Sequence, residues 1–116
     1  MNFNRCALGL ITQTCTSFQK KTVKPIATLV SGSSIKLSWD PDPSFIDDGY
    51  YEISLKEGRT NKWVVRNEEY KSADVILSNL NPETQYQFRV RYKCGDIEGQ
   101  LSQPSDPIKT EKNEVY

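Results

Sequence analysis

A chain of 116 residues is long enough for one core-bearing domain, and here 36% of the residues are apolar and 26% charged. Fifteen bases against fifteen acids give no net charge, which argues against a polycation held to nucleic acid by counterion release. There is no histidine, so the usual general base near neutral pH is missing, and no run approaches the ~20 apolar residues of a membrane-spanning helix.

Residues 1–22 show no sustained hydrophobic period and read as a basic, weakly structured leader. The first part of the chain holds Arg5, Lys20, Lys21, Lys24 and Lys36, whereas all fifteen acids lie from Asp40 onward. The apolar run after Arg5, CALGLI, is shorter than the ~7–15 residues of a secretory signal core and runs into Thr12. The three cysteines, Cys6, Cys15 and Cys94, cannot form a complete set of disulfides. No Asn-x-Ser/Thr acceptor occurs either. Together these facts point to a reduced, intracellular setting, with an extracellular ectodomain as the alternative.

At Lys24-Pro25 the texture changes to short runs of β-branched, aromatic and aliphatic residues between turn clusters. Residues 27–30 form the first run and end at Ser31-Gly32-Ser33-Ser34. Residues 34–39, SIKLSW, alternate, with Ile35, Leu37 and Trp39 on one face. The segment DPDPSFIDDG then forms a loop, because its two prolines and its glycine cannot continue a ladder. Residues 50–56 alternate again, with Tyr51, Ile53 and Leu55 inward. Short strands are expected over 62–66 and 75–77. The longest run, 84–94, places Tyr86, Phe88, Val90 and Tyr92 inward and Gln85, Gln87, Arg89, Arg91 and Lys93 outward. Its end, Cys94, reads as a small buried hydrophobe. A last strand lies within 105–110. Seven short strands without an amphipathic helix must bury their apolar faces against a second sheet, which predicts an all-β sandwich over 23–111 with a polar tail over 112–116.

The stretch LNPETQYQFRV opens the longest run. Leu80 can plug the core where the chain crosses between sheets, Pro82 sets the turn, and Tyr86 begins the next strand with its ring inside. Its buried hydroxyl needs a partner, and the backbone of the preceding corner is expected to accept its hydrogen bond. With Pro25, Trp39, Tyr51, Ile53, the Leu80-Pro82-Thr84-Tyr86 corner, Val90 and the Ser102-Pro104-Ser105-Thr110 pattern, residues 24–111 resemble a fibronectin type III domain. The resemblance implies sheets A-B-E and C′-C-F-G. It also implies a tryptophan packed between strands B and F in place of a disulfide.

Catalytic constellations are missing from this sequence. Serine and cysteine have no imidazole to activate them, the cysteines lack zinc spacing, and no glycine-rich phosphate loop occurs. Asp40, Asp42 and Ser44 match the first positions of a calcium loop, but Phe45 and Tyr51 stand where glycine and glutamate are required. No cofactor or metal is expected. Two candidate binding surfaces remain. One joins Phe45, Ile46, Asp47 and Asp48 to a loop bearing Ile97 and Glu98. The other is a sheet face on which Trp63 can stack with the row Arg89, Arg91 and Lys93. The serines of Leu101-Ser102-Gln103-Pro104-Ser105 resemble part of the cytokine-receptor Trp-Ser-x-Trp-Ser motif, but both tryptophans are absent. Cys94-Gly95-Asp96 is not an Arg-Gly-Asp triplet. The expected role is a non-catalytic protein-interaction or spacer module of a larger protein, monomeric when isolated and partnered by another protein. The alternative is a receptor or adhesion ectodomain fragment.

Overall fold

The computed structural model describes residues 24–41 and 48–112. One antiparallel sheet has the order β1-β2-β5, from β1 (Ile26–Ser31), β2 (Ser34–Ser38) and β5 (Asp74–Leu77). The other has the order β4-β3-β6-β7, from β3 (Tyr50–Glu57), β4 (Val64–Val65), β6 (Gln85–Cys94) and β7 (Ile97–Glu98), and β8 (Ile108–Lys109) also pairs with β6. The sheets correspond to the expected A-B-E and C′-C-F-G sets. The described strands number eight, one more than the seven expected, because a short strand β7 stands between the longest run and the last strand. Ile97 and Glu98, expected in a loop, turn back at Gly95 and pair with Cys94 and Lys93.

Period-two alternation decides which side chains meet between the sheets. Along β6 every second residue is buried, from Tyr86 through Phe88, Val90 and Tyr92 to Cys94. β3 contributes Tyr51 and Ile53, β2 contributes Ile35 and Leu37, and Leu77 and Leu80 close the far end. Trp39 meets Tyr51 edge to face at 5.2 Å between centroids, and Tyr51 lies 5.7 Å from Tyr92. Although Trp39 sits just past β2, its amide still bonds to the Ala73 carbonyl at 3.0 Å. Gly49 packs against the Tyr92 ring so closely that a side chain there would collide with it. Cys94 is buried as expected, but it is disulfide-bonded and therefore not the simple apolar residue that the sequence suggests.

The crossing before β6 is held by a closed set of polar contacts. The Tyr86 hydroxyl accepts the Asn81 amide hydrogen at 2.9 Å and donates to Glu57 Oε2 at 3.0 Å. The backbone is thus the donor and a carboxylate the acceptor, the reverse of the expected polarity. Asn81 Nδ2 donates to the same carboxylate oxygen at 2.8 Å. Burial raises the Tyr86 pKa above its ordinary value, and Glu57 adds to that rise while the Asn81 hydrogen bond opposes it. Asn79 and Glu83 take left-handed backbone angles (φ 60° and 49°) to shape the corner. Tyr86→Phe should therefore lower stability by about 1–3 kcal/mol, as it leaves the Asn81 amide without its acceptor. A urea midpoint equal to that of the parent would remove the corner from the list of stabilising contacts.

The stretch between β7 and β8 runs beside β6 without forming a regular ladder. Ser102 and Ser105 donate their amides to the carbonyls of Val90 and Phe88 at 2.9 and 2.8 Å. Their hydroxyls accept the amides of those same residues at 2.9 Å each. Both serines are buried, and they complete β6 where Pro104 and Pro107 prevent a continuous strand. We expect Ser105→Ala to cost about 1–3 kcal/mol by stranding the Phe88 amide, and to speed hydrogen exchange at Phe88 before that of other core amides.

Candidate interaction face on the outer sheet

The second sheet turns its polar face away from the core, and the strand register determines the neighbours there. Ser54 lies between Arg89 on β6 and Val65 on β4, Glu52 lies opposite Arg91, and Lys56 lies opposite Gln87. Trp63, directly before β4, lays its ring on this face. The Arg89 guanidinium carbon sits 3.9 Å from the Trp63 centroid, and Lys56 Nζ is 5.6 Å from it. A cation on an indole face is stabilised by about 0.5–2 kcal/mol. Ser54, small and 5% exposed, is the cross-strand neighbour of Arg89 beneath this cluster.

The expected basic row divides into two parts. Arg91 bonds Glu98 at 3.0 Å, and Lys93 reaches Glu52 at 3.4 Å and Glu98 at 3.3 Å. Neither stacks on Trp63. Arg89 alone of the row does so, and it forms no ion pair among the described residues. Its Nε is buried without a hydrogen-bond partner. Burial lowers the Arg89 pKa from its ordinary value, and the neighbouring Arg91 charge lowers it further. Lys56, which sequence reasoning missed, completes the cluster. Its place opposite Gln87 follows from the β3–β6 register, a pairing invisible before the strands are aligned.

The other expected surface is only partly in view. Phe45, Ile46 and Asp47, like Asp42, Ser44, Cys6 and Cys15, lie outside the described residues. Its second half, Ile97 and Glu98, belongs to β7, and Glu98 neutralises Arg91 and Lys93. Beside β4, Arg66 Nε donates to the Tyr70 hydroxyl at 3.0 Å, which donates to Glu68 at 2.9 Å. That chain of contacts is already satisfied and anchors the segment after β4. Of the two valines of β4, Val65, 53% exposed, lies on the same face opposite Ser54, next to the Trp63 cluster.

The family description "Fibronectin type III domain" matches residues 24–108. Among curated proteins, human pikachurin is 31% identical over 93 residues, covering 75% of this chain and 9% of that protein. Bovine pikachurin is also 31% identical, over 94 residues. The chain thus spans about a tenth of the length of the curated relatives it matches, 9% of each. Among solved structures, the kinase region of twitchin from C. elegans superposes with a TM-score of 0.67 at 19% identity over 83% of this chain and 17% of that one. The third fibronectin III domain of the human KIAA0343 protein superposes with a TM-score of 0.64 at 19% identity, over 86% of this chain and 94% of that one. Both likenesses concern the fold.

The two tryptophans should separate cleanly in stability measurements. Trp63→Ala should lower stability by less than about 1 kcal/mol, since it removes a surface cation–π contact. Trp39→Ala should cost about 3–5 kcal/mol as a core truncation. Thermal unfolding of the two variants in parallel reads this difference.

Proposed function

Because the chain belongs to the fibronectin type III domain family, we propose that residues 23–111 act as a non-catalytic interaction module of a larger protein, through the outer face of the sheet that contains β4, β3 and β6. The observation that carries this reading is Arg89, stacked on Trp63 with no counter-charge among the described residues and bordered by the exposed Val65. Aromatic and arginine side chains held rigidly next to apolar surface are the residues that dominate binding energy at protein interfaces. On the opposite sheet, by contrast, Lys36 pairs with Asp74, and the exposed Ile76 lies beside Lys36 with no aromatic anchor. The module is monomeric in this reading, and its partner is another protein.

The bonded state of Cys94 favours an oxidising compartment over the reduced interior expected from an odd cysteine count. An ectodomain or adhesion setting is therefore the form of this proposal that the cysteine chemistry supports.

A photo-crosslinking residue placed at position 65 tests the reading, with one at position 76 on the other sheet as the control. Expressed in its native host, the position-65 protein should give a discrete adduct that disappears with Trp63→Ala, and position 76 should give none. Equal adducts at both positions, or an adduct indifferent to Trp63, would refute the assignment of this face.

A further inference from the structure

The charges around Trp63 are unequal, and their arrangement selects the chemistry of a partner. Lys56 and Arg89 flank the ring, and Lys62, next to Trp63 in the chain, is exposed. None of the three forms an ion pair among the described residues. Glu57, next to Lys56 in the chain, lies opposite Tyr86 and turns to the other side of the strand, where its carboxylate accepts from Asn81 and Tyr86. This corner of a chain with no net charge is therefore locally positive. Further along the same face the sign changes, because Glu52 and Glu98 stand among Arg91 and Lys93 and neutralise them.

We propose that the Trp63–Arg89–Lys56 corner receives a short acidic segment of a partner protein, with a carboxylate on the Arg89 guanidinium and apolar contact on Val65. This rests on the interaction-module reading above and names the partner's chemistry. The guanidinium carbon is held 3.9 Å from the indole centroid, and the planar guanidinium fork is the group that a carboxylate can meet with two parallel hydrogen bonds. The patch is short. A continuous polyanion such as a sulfated polysaccharide would run from it onto a stretch where Glu52 and Glu98 already balance Arg91 and Lys93 and would gain no attraction there, whereas one or two carboxylates on a peptide need only the patch itself.

The test uses the full chain and a blocked heptapeptide of alternating Thr and Glu, with the Thr/Gln peptide as control, followed in a heteronuclear NMR titration. The Trp63 indole N–H and the Arg89 Nε–H should shift with the acidic peptide, and the buried Trp39 indole should not. Binding should weaken as salt rises. Arg89→Gln should weaken it at least about tenfold, the change that one charge-assisted pair accounts for, and Lys56→Gln should weaken it less. Both variants should retain the parent's spectral dispersion. Equal binding of the Thr/Gln peptide overturns the proposal, as does unchanged affinity in both variants. Preference for a heparin oligosaccharide through Arg89 overturns it in favour of a polyanion. If the peptide fails while the position-65 adduct persists, the partner is not acidic and only this inference falls. If both fail, the interaction-module reading falls as well.

Discussion

β6 holds Tyr86, Phe88, Val90, Tyr92 and Cys94 on one side and Arg89, Arg91 and Lys93 on the other, and a slip of one residue would exchange the two sets. Burying three cations in place of that apolar row would cost far more than the few kcal/mol by which a domain of this size is stable. Register is therefore not negotiable at β6, and its neighbours inherit it. Through eight paired positions β6 dictates where β3 lies. The serine hydroxyls and β8 complete its other edge. The outer face follows from the same constraint: Arg89 reaches Trp63 because the core fixes which way Arg89 points.

The corner and the outer face meet along the chain at Lys56 and Glu57. Glu57 lies at the end of β3, opposite Tyr86, and its carboxylate collects the Tyr86 hydroxyl and the Asn81 amide group. Strand alternation points Glu57 to the corner and its neighbour Lys56 to the outer face, so two successive residues of β3 serve different sites.

Much of this arrangement was legible in the residues. Alternation in 34–39, 50–56 and 84–94 identified the inward faces, since period two has no competing reading in runs so rich in aromatic and β-branched residues. The corner was legible from Leu80, Pro82 and Tyr86, though its polarity was not. Which group donates to Tyr86 depends on Glu57, 29 residues away. The roles of Ser102 and Ser105 were hidden for a related reason, because a serine that replaces a ladder carbonyl looks like any loop serine until its strand is known. Within the basic row, sequence could not separate Arg89 from Arg91 and Lys93. The separation arises from Glu52 on β3 and Glu98 on β7, which the hairpin brings beside them.

The Glu57–Tyr86 pair also bears on the order in which the domain can assemble. It is the closest in sequence of the β3–β6 pairs, at 29 residues, and the remaining pairs open outward from it like a zip whose far end joins Tyr50 to Lys93. Closing that first loop costs chain entropy before any sheet contact rewards it. The β1–β2 hairpin can form locally, and the short β4 can meet β3 at two positions, but the eight-position pairing of β3 waits until β6 has been made. During synthesis most of β3 must therefore wait for its long partner through the production of β4, β5 and the corner. Folding of this module is in that sense a late event, and the interval before it is when its apolar strands are most open to chaperones and to mispairing with a neighbouring module.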